Sequence, residues 1–224
     1  EKRRRLRKFR RLTSQRFGFQ FEPIVLTPRF RKGYNQNHDM LSDRVKWNAK
    51  YRHKEYPTDP SAIVKEFCAL APGTAALDIA AGSGRNAFFL AERGFTVDAV
   101  DISEEGLALL AGRHPAIRPI CADLDTFDIR AERYDLIVDV LFLNRRLFPQ
   151  ICDGLRPGGL LIFETLLEPL RGTGSSEPVR DYFLRENELL HSFLSLRILH
   201  YHEECGDGRG PARRLAGLVA VRGR

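Results

Sequence analysis

A glycine-rich turn between an apolar run and a helix-like segment constrains the fold of this chain most. Residues 75–80 are apolar except Asp78 and predict a buried strand, after which come Gly82 and Gly84. Glycines lack a Cβ, so the backbone here can approach a ligand closely, and the following helix is expected to direct free N–H groups at it. A second apolar run, Thr96–Asp101, ends in a carboxylate 17 residues beyond Gly84, where strand–helix–strand units place an acid on a ribose diol. These features predict a site for a nucleoside-containing ligand.

The residue Asp78 bears on which nucleoside is bound. Gly82-x-Gly84-x-x-Ala87 formally matches the dinucleotide fingerprint, so a nicotinamide cofactor is one alternative. Asp78 lies four residues before Gly82, and a carboxylate there attracts a cation and repels a pyrophosphate. S-adenosylmethionine carries an ammonium and a sulfonium, whereas NAD carries two phosphates. The sequence therefore favours S-adenosylmethionine as the cofactor.

The order of the motifs resembles that of the class I S-adenosylmethionine-dependent methyltransferases. In that family an acid precedes the glycine-rich turn, as Asp78 does here. Asp101 falls where the family binds the ribose hydroxyls, and Cys121-Ala122-Asp123-Leu124 falls where it reads the adenine edge. Arg156-Pro157-Gly158-Gly159-Leu160 matches the turn before the family's fifth strand. The resemblance implies a methyltransferase with a Rossmann-like sheet.

Two further segments narrow the resemblance to one branch of the family. Residues 47–52 and 183–190 resemble small bacterial enzymes of the tellurite-resistance (TehB-like) and thiopurine-methyltransferase-like type. The similarity covers about residues 44–222. Many relatives have His where this chain has Asn144, so no base is predicted at that position and the catalytic residues stay unassigned.

The resemblance implies a set of cofactor-binding residues at the ends of successive strands. These are Asp78, Ala80, Gly82, Gly84, Asn86, Asp101, Ile102, Ala122, Asp123, Leu124 and Asp139. Further contacts with cofactor or substrate are expected from Trp47, Tyr51, Arg52, Phe142, Arg145 and Arg185.

Several of these side chains have an equally plain structural interpretation. Trp47 and Tyr51 could hold a helix against the core, Arg52 could be a solvated surface residue, and Arg185 could pair with Glu188 on its own helix. His200 and His202 lie two apart on a predicted strand, but no third ligand is evident. No metal is therefore predicted.

Alternating strand and helix patterns predict an α/β, doubly wound, mostly parallel sheet. The predicted strands are 75–80, 96–101, 117–121, 134–141, 160–164, 196–203 and 212–222. The resemblance implies seven strands in the order 3-2-1-4-5-7-6, with strand 7 antiparallel. A short helix is expected over Asp43–Tyr51, and the Gly-, Pro- and Ser-rich segment Thr165–Arg180 is expected to form a lid over the acceptor.

The net charge of +7 comes from the beginning of the chain. Residues 1–39 hold 12 Lys and Arg against 3 Asp and Glu, whereas the remainder holds 24 against 26. We expect two parts: a basic extension, 1–39, mobile or dispensable for catalysis, and a methyltransferase domain, 40–224. The extension could also be a start-site or cloning artefact, since Met40 is the only methionine. Nucleic acid could bind only through residues 1–39.

The predicted activity is methyl transfer to a small molecule, with a soft sulfur, selenium or tellurium nucleophile as one acceptor class. The alternatives are an RNA or protein methyltransferase that binds through the basic extension, and a non-catalytic nucleoside-binding module. No run of 18 apolar residues occurs, so no membrane span is predicted. The four cysteines are scattered without a CxxC pair, and Cys68, Cys121 and Cys152 are expected to be reduced core residues, which favours the cytoplasm. The oligomeric state is not predicted.

Overall fold

A computed structural model describes residues 36–53, 56–168, 182–205 and 214–223. The chain divides into two compact units, 1–35 and 36–224. The first helix of the described residues, α1, spans Gln36–Arg52, so it begins seven residues before the predicted start at Asp43. It runs through the predicted boundary at residue 40, and the rest of the basic extension lies outside the described residues.

The second unit is built on a seven-stranded sheet with the order β3-β2-β1-β4-β5-β7-β6. Strands β1 to β5 are parallel, and β7 is antiparallel to both β5 and β6. This confirms the predicted fold class and strand order. The strands are β1 Ala75–Ile79, β2 Thr96–Asp101, β3 Ile117–Cys121, β4 Tyr134–Val140, β5 Leu155–Leu166, β6 Arg197–Cys205 and β7 Arg214–Val221.

Five further α-helices cover the two faces of the sheet, and each face has its own apolar core. We call the side with Ile63, Leu90 and Leu107 the front face, and the side with Leu147 and Leu189 the back face. The front helices are α2 Ala62–Phe67, α3 Arg85–Ala91 and α4 Glu104–Ala108, with a 3-10 turn at Cys68–Leu70 after α2. The back helices are α5 Leu147–Gly154 and α6 Glu188–Ser192.

Some boundaries and burials differ from the prediction. Strand β5 begins at Leu155 rather than Leu160, because Leu155 pairs with Tyr134 before a register shift. Cys121 is exposed at the end of β3, so its predicted place in the core was wrong. Most of the predicted lid and the turn between β6 and β7 lie outside the described residues. None of the helices in the described ranges is both long and apolar enough to cross a membrane.

A buried carboxylate joins strands β2, β3 and β4 on the back face. Asp98 accepts hydrogen bonds from Arg118 Nε at 2.8 Å and Arg118 Nη2 at 2.7 Å. The Tyr134 hydroxyl donates to the same carboxylate at 2.9 Å, and Asp98 is 5% exposed. A bidentate arginine pair that also binds a buried phenol is a strong local constraint.

We predict that Asp98→Ala lowers the free energy of unfolding by about 1–3 kcal/mol, because the buried Tyr134 hydroxyl loses its acceptor. Urea unfolding of the full chain measures this change. The exposed Glu92 provides a control, since Glu92→Gln should leave the midpoint unchanged. Equal stability of Asp98→Ala and the parent would contradict the prediction.

Candidate functional site

A cleft opens at the carboxyl ends of β1 to β4, with α1 along one side. This is the edge where open α/β sheets bind ligands. Its walls come from α1, residues 56–57, the glycine-rich turn and the loops after β2, β3 and β4. The lining residues are Asp43, Trp47, Lys50, Tyr51, Tyr56, Pro57, Ala80, Ala81, Ser83, Arg85, Asp101, Ile102, Asp123, Leu124, Asp125, Val140, Leu141 and Phe142.

The carboxylate of Asp101 fixes two loops of the cleft at once. One oxygen accepts from the Gly82 backbone N–H at 2.8 Å, and the other accepts from the Ser103 N–H at 2.8 Å. Burial raises the pKa of Asp101, and these two hydrogen bonds oppose that shift. Each oxygen keeps a second lone pair, so the carboxylate can still accept from a ligand hydroxyl.

Gly82 is required because an aromatic ring lies against it. Its φ is +56°, and a Cβ at this position would overlap the Tyr51 hydroxyl. The Gly82 N–H donates to Asp101, and the Gly84 N–H donates to the Ala81 carbonyl at 2.9 Å. Both glycine N–H groups are therefore already paired within the protein. The free N–H groups expected at the start of the following helix stay a prediction.

Helix α1 is attached to the start of α4 by polar contacts. The Ser103 hydroxyl donates to Asn48 Oδ1 at 2.7 Å and accepts from the Gly106 N–H at 3.0 Å, which makes it the N-cap of α4. Arg52 pairs with Glu105 at 2.9 Å. The side chain of Arg52 is 61% exposed and is not among the lining residues, so the structure favours its surface interpretation.

The aromatic pair on α1 lines the cleft and also packs α1 against α4. Trp47 and Tyr51 stack with centroids 6.4 Å apart, and both line the cleft. The Tyr51 ring also lies 3.0 Å from where a Cβ of Gly106 would stand, so it packs α1 against α4. Their contact with a cofactor stays a prediction.

Two buried carboxylates stand behind the cleft at the ends of β1 and β4. Asp78 is 2% exposed and Asp139 is 1% exposed, and each has one oxygen without a hydrogen-bond partner. Burial raises the pKa of Asp78 to about 7, with Arg85 acting in the opposite direction. Burial and the nearby Asp78 raise the pKa of Asp139 well above its ordinary value. An unpartnered buried carboxylate at a ligand-binding edge fits a missing cationic partner.

The charges that line the cleft are mostly negative. Asp43, Asp101, Asp123 and Asp125 face only two cations, Lys50 and Arg85. Burial, and next the neighbouring Asp123, raises the pKa of Asp125. Such a lining attracts a cationic ligand and disfavours a pyrophosphate.

Two non-glycine residues of the lining have a left-handed backbone. Ala80 has φ +53° and Leu141 has φ +61°, directly after β1 and β4 respectively. These conformations cost free energy and tend to persist at functional sites. The Leu141 N–H is held by the Glu164 carbonyl at 2.7 Å, which fixes the loop after β4.

The structure divides the predicted site residues into three groups. Those in the cleft wall are Trp47, Tyr51, Ala80, Asp101, Ile102, Asp123, Leu124 and Phe142. Those at the same strand ends, in the turn or in the first turn of α3, without lining the cleft, are Asp78, Gly82, Gly84, Asn86, Ala122 and Asp139. The third group consists of three arginines outside the lining, Arg52, Arg145 and Arg185, of which Arg52 and Arg145 are held in ion pairs.

Three predicted residues have structural partners instead of an open approach to the cleft. Asn86 Oδ1 accepts from the Ser61 N–H at 3.0 Å, which ties α3 to the start of α2. Arg145 forms a bidentate pair with Glu188, at 2.5 and 3.1 Å. Arg185 meets Glu188 only through its backbone N–H, at 2.9 Å, so the Glu188 carboxylate pairs with Arg145 and not with the predicted Arg185 guanidinium.

Sequence reasoning missed Arg85, a cation in the cleft wall. Its Nη1 donates to the Asp59 carbonyl at 3.2 Å, and its charge acts on Asp78, Tyr51 and Glu164. The sequence feature that could have identified Arg85 is its place at the first position of α3, where the helix dipole disfavours a cation. The other missed lining residues are Asp43, Lys50, Tyr56, Pro57, Ala81, Ser83, Asp125, Val140 and Leu141.

Comparison with protein families gives one match, a methyltransferase domain over residues 76–159. This span runs from β1 to the start of β5 and contains the glycine-rich turn, Asp101 and Asp123. Among curated proteins, a hemagglutinin 1 from Eikenella corrodens is 29% identical over 174 residues, which is 70% of this chain and 56% of that protein. The chain thus spans about half the length of this relative.

Solved structures share the fold at low sequence identity. TehB from Haemophilus influenzae has a TM-score of 0.64 and 23% identity, covering 77% of this chain and 66% of that one. A 1,6-didemethyltoxoflavin-N1-methyltransferase from Burkholderia thailandensis has a TM-score of 0.62 and 18% identity, covering 87% and 92%. The family match supports the predicted class of enzyme for residues 76–159. The chain has the fold of the class I S-adenosylmethionine-dependent methyltransferases.

Proposed function

We propose that this protein transfers a methyl group from S-adenosylmethionine to a small-molecule acceptor with a soft sulfur, selenium or tellurium nucleophile. The observation that carries the proposal is the acid-lined cleft with Asp78 behind its glycine-rich turn, where one buried carboxylate oxygen lacks a hydrogen-bond partner. The cofactor supplies an electrophilic methyl group on a sulfonium. The protein's own task is to bind, orient and exclude water.

Each end of the cleft suits a different part of the cofactor. Asp101 would accept from the ribose hydroxyls, and Asp123 with Leu124 would contact the adenine. Asp78 would compensate the ammonium charge, since its buried oxygen lacks a partner. The faces of Trp47 and Tyr51 would suit the sulfonium cation.

The acceptor end of the cleft has an apolar wall. Val140 at the end of β4 and Leu141 and Phe142 after it form this wall, and Tyr56 and Pro57 also line the cleft. An apolar wall favours a small and weakly hydrated acceptor over a macromolecule. The resemblance to tellurite-resistance enzymes favours a soft nucleophile, and the Burkholderia relative is described with 1,6-didemethyltoxoflavin bound.

Calorimetry with S-adenosylhomocysteine, followed by a turnover screen with thiol, selenol and tellurite probes, tests the proposal. We expect saturable one-site binding and transfer of a labelled methyl group to at least one probe. Absence of S-adenosylhomocysteine binding would refute the cofactor assignment. Binding without transfer to any probe would refute the acceptor class and favour the nucleoside-binding alternative.

We predict that Asp101→Ala weakens S-adenosylhomocysteine binding by about 1–3 kcal/mol, because the ribose loses its acceptor and Gly82 loses its anchor. Asp101→Asn keeps one acceptor oxygen and should lose less. Isothermal titration measures both affinities. The exposed Glu104 gives the control, because it lies in the same loop region and Glu104→Gln should bind as the parent does. Unchanged affinity in Asp101→Ala would contradict the ribose assignment.

Cofactor affinity should rise with pH through the pKa of Asp78, about 7. The ligand's ammonium requires the carboxylate, so below this pKa binding must first displace a proton. Linkage then predicts an affinity about tenfold weaker at pH 6 than at pH 8. Titrations across this range test it, and the pH dependence should vanish in Asp78→Asn.

Asp78→Asn should also stabilise the protein in the absence of ligand. The folded pKa of about 7 exceeds the ordinary 3.8, so the folded state holds a proton that the unfolded chain releases between these values. The stability of the unliganded protein therefore falls as the pH rises from about 4 to about 7. Thermal unfolding at pH 7.5 should give a higher Tm for Asp78→Asn together with weaker S-adenosylhomocysteine binding. A lower Tm would show that Asp78 has a stabilising partner.

A further inference from the structure

A row of paired residues crosses four neighbouring strands of the front face beside the acceptor end of the cleft. The row consists of Val140, Glu164, Gly217 and His202. Val140 lines the cleft and pairs in register with Glu164 on β5, and Glu164 pairs with Gly217 on β7. Gly217 in turn pairs with His202 on β6. Paired residues of neighbouring strands point to the same side of a sheet. The Glu164 side chain is therefore on the same side of the sheet as Val140, one strand away from the cleft lining.

The glycine in this row makes room for the imidazole. A Cβ on Gly217 would overlap the His202 ring, so the ring lies over the glycine, between β6 and the β5 position of Glu164. His202 Nδ1 is 3.0 Å from His200 Nε2, and the His200 ring lies 5.0 Å from the Phe67 ring. The Phe67 ring of α2 thus packs against His200, which in turn contacts His202. Among the described residues no group of three or more His, Cys, Asp or Glu forms a metal site.

The charged groups that act on Glu164 come from two elements. Half-burial raises the pKa of its carboxyl, while His202 on β6 and the cleft-lining Arg85 on α3 oppose that shift. On helix α2, Phe67 packs against the His200 ring, whereas Lys65 and Glu66 are exposed to solvent. Glu164 therefore lies between a cleft-side cation and an imidazole, in a place where a carboxylate can take up a proton.

We propose that Glu164 is the proton acceptor of the methyl-transfer reaction and that His202, held by His200, is its positioning residue. This inference rests on the proposed function. The acceptor is then a molecule with a proton on its nucleophilic atom, such as a thiol or selenol. Its nucleophilic atom bonds to the methyl carbon, the carbon–sulfur bond breaks with its electron pair staying on sulfur, and the proton passes to the Glu164 carboxylate.

The experiment compares an acceptor that must lose a proton with one that has none to lose. 2-Mercaptoethanol is the first probe and dimethyl selenide is the second, each assayed with the full chain at pH 7. Glu164→Gln should lower kcat for 2-mercaptoethanol by about 100-fold and leave that for dimethyl selenide within twofold. Glu66→Gln, the same change on the exposed side of α2, should leave both reactions unchanged.

A second readout does not depend on turnover. Carbon-13 NMR of labelled glutamate carboxyls, with Glu164→Gln assigning the signal, follows the titration of Glu164. His202→Gln should raise the pKa of Glu164 further, because His202 lowers it in the parent. The acid limb of the 2-mercaptoethanol reaction should then move to higher pH. Gly217→Ala, which displaces the His202 ring, should act in the same direction.

The outcomes separate this inference from the proposed function. Equal losses on both probes would overturn the role of Glu164, and an unchanged Glu164 titration in His202→Gln would overturn the positioning role of His202. Either result would leave the methyltransferase intact. Binding of S-adenosylhomocysteine without transfer to either probe would overturn the acceptor class and this inference with it. Absence of S-adenosylhomocysteine binding would overturn the proposed function itself.

Discussion

The Asp101 carboxylate is the interaction on which the site depends most. It takes one backbone N–H from the glycine-rich turn and one from the start of α4. Ser103, fixed in this way, caps α4 and binds Asn48 of α1. One buried charge therefore positions the turn, a helix start and the helix that carries Trp47 and Tyr51. Because both oxygens already have partners, the carboxylate is oriented before any ligand arrives, which reduces the free energy lost on binding.

The features of the cleft that favour binding of a cationic ligand also lower the stability of the unliganded protein. Asp78 and Asp139 each bury an oxygen without a hydrogen-bond partner, and such groups cost free energy in the unliganded protein. Strained backbone at Ala80 and Leu141 adds to that cost at the same edge of the sheet. A cationic ligand that satisfies Asp78 recovers part of it. The mostly acidic lining and the buried Asp78 both favour a cationic ligand over a pyrophosphate.

Arg85 links the cofactor and acceptor ends of the site. Its charge acts on Asp78 behind the glycine-rich turn and on Glu164 beside Val140. The Arg85 charge therefore lowers the pKa of both acids. On the front face, the His202 imidazole opposes the rise in the pKa of Glu164 that burial causes.

The sequence by itself determined the strand pattern, the glycine-rich turn and the acids at the strand ends, because these depend on local periodicity and on residue chemistry. Strand β2 was predicted at its observed position, Thr96–Asp101. The tertiary structure decided which groups meet. It gave Asn86 to Ser61, Arg52 to Glu105 and Arg145 to Glu188. It also brought Arg85 to the cleft wall and set Glu164 and His202 in one row across Gly217. These contacts join residues distant in sequence, and strand register, which local patterns do not encode, fixes them.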